Sequence, residues 1–364
     1  MTLNCHRRCI GLTHSKPPRH PLKQPTTWDH IPGLRYSSEI SHICQLTPAD
    51  EDQAAVEKAN QTHVSEFFLL GLTTDPQQQV WLTVLFLAMY LLNVTGNTII
   101  IAAILGDSRL HSPMYFFLSN LSLVDICFTT VIVPQMLVSM LMQNKAIPFA
   151  QCIAQMYFFV AFGITDSFLL AVMAIDRYMA ICNPLHYTTA MSPRRCILLV
   201  AMSWVVSHCH SLVHTLLMAR LSFCGPNTIH HFFCDVQPLL TLSCSDTSIN
   251  EVLAFTEGSL VIMSPFLFIV ISYVWITRAV LRVPSGRGRY KAFSTCSSHI
   301  TVVVLFYGTI ISVYIRPSST YSVTKDRVVT IIYTVVTPML NPFIYSLRNK
   351  DMKGALRKVI GRAE

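Results

Sequence analysis

Seven stretches of this chain are long and apolar enough to lie in lipid: 80–105, 113–141, 150–182, 197–217, 251–276, 292–315 and 328–345. A hydrocarbon core about 30 Å thick takes ~20 apolar residues of helix, and each stretch meets or approaches that length. Only helices and closed barrels satisfy every backbone polar group in hydrocarbon. The strict apolar–polar alternation of barrel strands is absent here. Composition agrees: hydrophobic residues make up 52% and charged residues 13%, about half the ~25% charged content of a soluble domain. Mean hydropathy is +0.46, and a soluble monomer of this make-up would expose too much apolar surface. The formal net charge of +8 does not point to nucleic acid, because the basic residues sit in short loops between apolar runs. The expected fold class is an all-α membrane protein, a seven-transmembrane helix bundle.

Loop charge sets the expected orientation. The segments after spans one, three, five and seven carry fourteen basic residues, from Arg109 to Arg362, and those after spans two, four and six carry five. The first set is expected in the cytoplasm, which leaves the amino terminus outside. Asn60-Gln61-Thr62 is a glycosylation sequon on that outer side. Residues 1–58 hold no apolar signal-peptide core. They run from a basic to an acidic, proline-containing stretch and are expected to be a disordered extracellular leader. The membrane-embedded body is expected over 59–350 and a cytoplasmic tail over 351–364. Within that end, Arg348 to Lys358 reads as a short amphipathic helix on the inner leaflet, drawn by anionic membrane lipid.

Ionisable side chains at membrane depth are costly, so each marks a functional hypothesis. Asp125 lies about 18 Å of helix above Pro113, and Asp166 about three turns above Arg177. Both therefore sit near mid-bilayer, where Asn97 of span one and Asn341 of span seven can reach the same level. Two carboxyls and two amides make a candidate sodium or proton site, or a polar network that locks helices together. Asp176-Arg177-Tyr178 ends span three: an acid beside an arginine can hold a closed state by pairing, or the arginine can simply snorkel. Asn341-Pro342-Phe343-Ile344-Tyr345 ends span seven, where Pro342 removes a helix hydrogen bond and Asn341 can satisfy the freed groups.

Cys152 opens span three on the outer side, and Cys224, Cys234 and Cys244 lie between spans four and five. Four outer thiols suggest two disulfides with three connectivities open. His208, His210, His214, His230 and His231 gather around span four and the next loop. Because His208 and His210 alternate and so do not share a helix face, packing is expected there and no metal site.

Four stretches, taken together, resemble the odorant (olfactory) receptors, a branch of the rhodopsin-like G-protein-coupled receptors. They are LHSPMYFFL from Leu110, MAIDRYMAIC from Met173, KAFSTCSSH from Lys291 and PMLNPFIYSLRN from Pro338. The resemblance covers about residues 60–360, and the span-six stretch is particular to that family. Departures are Ile175 where the family has tyrosine, Asp166 where it has glutamate, the 58-residue leader, and Glu257 where it has a small residue.

The resemblance implies a mechanism. A small volatile odorant in the outer half of the bundle shifts an equilibrium between two helix packings, and the active packing opens the cytoplasmic face to a stimulatory heterotrimeric G protein that raises cyclic AMP. It implies Asp176, Arg177, Tyr178, Asn341, Pro342 and Tyr345 as the coupling switch. It also implies Cys152–Cys234 as a shared bridge, with Cys224–Cys244 tying the loop to itself. Location would be the plasma membrane, in olfactory sensory neuron cilia. Expected ligand contacts are Phe159, Gly163, Glu257, Tyr307, Ile310, Tyr314 and Thr334, a lining for a small, mainly apolar molecule. Phe159 stands where aminergic receptors place an aspartate, and span seven has no lysine for a retinal Schiff base. A transporter is the rival class, but no repeated halves or midplane helix breaks are present. An enzyme would need a converging nucleophile or metal-ligand constellation, and none is evident.

Overall fold

The computed structural model describes residues 64–142, 145–314, 323–346 and 350–361. The expected leader 1–58, the Asn60 sequon and the side chain of Tyr314 lie outside the described residues, as do residues 347–349 and 362–364. Among the described residues, seven helices are long and apolar enough to cross a membrane. They are α1 (Pro76–Gly106), α2 (Pro113–Leu141), α3 (Phe149–Cys182), α4 (Pro193–Ala219), α5 (Ser248–Leu281), α6 (Gly286–Tyr314) and the composite α7. The last is built from Val323–Ile331, a π-helical turn Ile332–Val336, and Thr337–Ser346. A further helix, α8 (Lys350–Ile360), follows.

Helix starts lie where capping chemistry puts them. Asp75 accepts a hydrogen bond from the Gln77 backbone N–H at 3.0 Å and Pro76 follows it at the first helical position. That is why α1 begins four residues before its apolar run. Pro193 does the same for α4. The π turn of α7 ends two residues before Pro338, which has no N–H to give to the turn behind it.

α3 is the most enclosed helix and packs against α2, α4, α5 and α6. The main core runs along it, with Phe117, Phe128, Leu169, Leu170 and Tyr307 fully buried. Apolar side chains of α1, α4 and α5, such as Trp81, Leu198 and Phe268, remain exposed on the outer faces, as a lipid-facing surface requires. At one end of the bundle a three-stranded sheet is ordered β2-β1-β3. Here β1 (Glu66–Leu69) pairs antiparallel with β2 (Ala146–Pro148) and parallel with β3 (Thr228–Ile229). This sheet was not read from the sequence. It packs Phe67, Ile147 and Ile229 into a second apolar cluster around Cys152, Cys234 and Phe223.

At the opposite end, α8 buries Met352 and Ala355 and leaves Lys353, Arg357 and Lys358 exposed. Lys358 reaches Asp107, between α1 and α2, at 3.2 Å. The Arg109 guanidinium, 2.7 Å from the same carboxylate, holds Asp107 well below the usual carboxylate range.

Candidate functional site

A cavity of about 400 Å³ opens between α3, α5 and α6 toward the sheet end. Its α3 wall is Phe159, Val160, Gly163, Ile164 and Ser167, positions that follow one helical face. Phe128 of α2 stacks on Phe159 with ring centroids 5.3 Å apart, and Phe233 and Tyr333 close round the same ring. Phe306 and Ile310 come from α6, and Ala254, Phe255, Gly258, Ser259, Ile262 and Met263 from α5. The loop residues Asp235, Val236 and Gln237 form part of the wall. That loop is held by Cys152–Cys234 and Cys224–Cys244, both of which are formed, and by Gln155, whose side chain accepts from the Cys234 N–H at 2.9 Å and donates to the Val131 carbonyl. In the same loop, burial against Phe232 and Phe233 pushes the His231 imidazole down to about 3.

Of the expected ligand contacts, Phe159, Gly163 and Ile310 line this cavity. Three others do not. Tyr307 is turned into the core, where its hydroxyl meets the Ser167 hydroxyl at 2.6 Å, so Ser167 faces the cavity in its place. Thr334 is fully buried with its hydroxyl donated to the Thr330 carbonyl at 2.7 Å, and its neighbour Tyr333 is the lining residue. Glu257 is exposed and lies across from His210 and His214 of α4 while its neighbour Gly258 lines the cavity. The α5 wall and the loop were missed because contiguous apolar sequence does not reveal which face of a long helix turns inward.

The buried polar residues of α1, α2, α3 and α7 lie deeper. Asn341 donates through one amide nitrogen to both Asp125 carboxylate oxygens, at 3.1 and 2.9 Å. Asn97 donates to the Pro338 carbonyl at 3.3 Å. In a regular helix that carbonyl would bond to the N–H four residues on, which is Pro342 and has none. Asn97, and not Asn341, therefore answers the proline. Gly96 lets the two helices meet: a Cβ there would stand 3.2 Å from Pro342. Asn93, not singled out in the sequence, donates to Thr129 at 2.5 Å and to the Asp125 carbonyl at 3.2 Å. Asp166 Oδ1, Asn97 Oδ1 and Asn341 Oδ1 are buried oxygens without a hydrogen-bond partner. Oxygen donors of this kind suit a hard cation.

At the far end of α3, Asp176 accepts a 2.8 Å hydrogen bond from Tyr187, in the short helix Tyr187–Ala190. Arg177, buried, donates toward the Tyr273 hydroxyl of α5 and the Cys296 thiol of α6. These partners come from other helices, and the adjacent Asp176 carboxylate bears on Arg177 through its charge. His299, fully buried, donates Nε2–H to the Leu170 carbonyl at 3.0 Å, so its Nδ1 is the acceptor for Tyr273 at 2.8 Å. Ser298 donates to the Ile344 carbonyl at 3.0 Å, and Tyr345 is buried nearby in α7. Tyr178 packs at the edge of an apolar cluster with Ile276 and Val280. The histidines of span four do not form one cluster. His208 pairs with Tyr157 at 2.8 Å and stacks on Trp204, whereas His210 and His214, one turn apart, share a face.

A family model described as olfactory receptor matches residues 86–362. Among curated relatives, Olfactory receptor 1L6 of Homo sapiens is 62% identical over 298 residues, 82% of this chain and 86% of the relative. Olfactory receptor 1F1 of Homo sapiens is 60% identical over 303 residues, 83% of this chain and 97% of its own. Olfactory receptor 1f45 of Rattus norvegicus is 59% identical over 305 residues, covering 84% and 97%. Among solved structures, squid rhodopsin superposes with a TM-score of 0.61 at 17% identity, over 80% of this chain and 87% of that one.

Proposed function

The chain belongs to the olfactory receptor family, and from that premise we propose that a small, mainly apolar volatile molecule binds the α3–α5–α6 cavity and activates a stimulatory heterotrimeric G protein, raising cyclic AMP. As a member of a family of rhodopsin-like receptors it is a multi-pass membrane receptor and not an enzyme. The observation that carries the ligand reading is the cavity itself. Its wall is mostly aromatic and aliphatic, with Ser167, Ser259, the α4 histidines, Asp235, Gln237 and Glu251 as polar points, the make-up of a small-molecule site.

The bias of basic residues supports a cytoplasmic placement for the Arg177 end and α8, with the sheet end and amino terminus outside, Asn60 glycosylated, and delivery to cilia of olfactory neurons. α8 then lies on anionic membrane lipid through Lys353, Arg357 and Lys358. Asp166, Asn97 and Asn341, each with an unpartnered oxygen, hold a sodium ion together with Asp125, whose carboxylate Asn341 also contacts. Helix α6 links the two ends: Phe306 and Ile310 meet the ligand, while Cys296 and His299, about 15 Å along the helix, sit in the Arg177 cluster. A ligand that favours one placement of Phe306 therefore biases whether Arg177 stays bound to Tyr273 and Cys296 or turns to the G protein. The test is a panel of volatile compounds applied to cells expressing the chain with a stimulatory G protein. A concentration-dependent cyclic AMP rise from some members is expected. Silence across a broad panel at verified surface expression overturns the reading.

A further inference from the structure

We propose that His210, His214 and Glu257 form a binding site for a divalent transition-metal ion of the zinc class in the wall between α4 and α5. The three residues offer donor atoms that all lie within 4.8 Å of one another. His210 and His214 are one turn apart on α4, so their imidazoles project from one face, with ring centroids 4.5 Å apart. Glu257 approaches them from α5.

A tetrahedral ion with bonds of about 2.1 Å sets its donors ~3.4 Å apart, so closing the site takes an adjustment of about an ångström. The exposed carboxylate of Glu257 is free to make it. Two imidazoles and one carboxylate are a donor set that zinc uses in sites with a fourth, open position.

A second observation points the same way. His214 is 8% exposed, yet its Nε2 has no hydrogen-bond partner. A buried ring nitrogen without a partner is costly, and a metal would satisfy its lone pair. The neighbouring His208 lies apart from this group, stacked on Trp204 and paired with Tyr157 at 2.8 Å. Both His210 and His214 also line the cavity, so a bound ion would brace α4 against α5 and form part of the wall that a ligand meets. The site does not depend on the identity of that ligand.

The experiment is a Co²⁺ titration of the purified full-length chain in nanodiscs of uncharged lipid, followed by the visible absorption of tetrahedral Co²⁺ and by its displacement with Zn²⁺. One equivalent is expected to saturate the band. Glu257→Gln and His214→Ala are each expected to weaken binding at least about 100-fold, the upper end of the loss caused by removing even an outer-shell partner. His230→Ala, altering an exposed loop histidine, should leave binding unchanged. No tetrahedral band in the wild type, or wild-type affinity in Glu257→Gln, overturns the proposal; so does a loss in His230→Ala equal to that in Glu257→Gln. Glu257 is exposed, so its variant is readable even where His214→Ala does not fold.

Discussion

Enlarging Gly163 should shrink the ligand site in measurable steps. The residue lies mid-way along the α3 wall of the cavity, and a Cβ added there would stand 3.6 Å from Phe128 Cε2, an ordinary contact. Alanine therefore fits without strain. Any larger side chain has only the cavity to enter.

Each ligand methylene displaced from apolar contact forfeits ~0.8 kcal/mol, and about 1.4 kcal/mol is tenfold in affinity. Gly163→Ala should then raise an agonist's half-maximal concentration about fourfold. Gly163→Leu, adding four carbons, should raise it roughly 100-fold or more. The helix itself gains from either change, since glycine costs a helix interior about 1 kcal/mol relative to alanine or leucine, so surface expression should hold.

Gly308 of α6 is the control: it is exposed, outside the cavity lining, with no heavy atom within 4 Å of an added Cβ. Gly308→Leu should leave the response unaltered. The assay is a cyclic AMP concentration–response series for an agonist found by screening, normalised to surface receptor. Equal sensitivity across the Gly163 series, or an effect of Gly308→Leu as large as that of Gly163→Leu, would refute the placement of the ligand.

Two other perturbations follow from the packing. Cys152→Ser removes the bond that ties the start of α3 to the loop over the cavity, and surface labelling should fall to near background; normal delivery would show the bond to be dispensable. The Ser167–Tyr307 hydroxyl pair, 2.6 Å apart between α3 and α6, should show a coupling of about 0.6 kcal/mol, and no more than ~1.7, in a double-mutant cycle of Ser167→Ala and Tyr307→Phe read by thermal unfolding. Additive single effects would mean that the pair does not join the helices.

Much of the fold is legible because lipid imposes one rule over long windows: twenty apolar residues make a span. The seven spans and their order follow from it. The ends are less legible, because polar caps such as Asp75-Pro76 extend helices beyond their apolar runs. The sheet is not legible at all: a strand of four residues, Glu66–Leu69, completed by two distant segments carries almost no local signal.

The site divides in the same way. Asp125, Asp166 and Arg177 stand out because charge in lipid is rare, and Phe159 and Gly163 because the family resemblance puts the ligand beside the outer half of span three. Their partners do not. Tyr273 and His299 are ordinary residues until two helices cross, and Asn97 finds its role only because Pro342 leaves the Pro338 carbonyl bare. At span four the spacing rightly separates His208 from His210, but it does not show that the helix joins His210 to His214 and turns His208 toward Tyr157.

The most direct test of the account is nucleotide exchange in a purified system. Receptor in lipid nanodiscs is mixed with purified stimulatory G protein, and GTP-analogue binding is followed with and without an agonist from the screen. The account predicts agonist-dependent acceleration in the wild type and none in Arg177→Ala, with agonist binding retained in both. Agonist binding without exchange in the wild type, or equal exchange in Arg177→Ala, would contradict it.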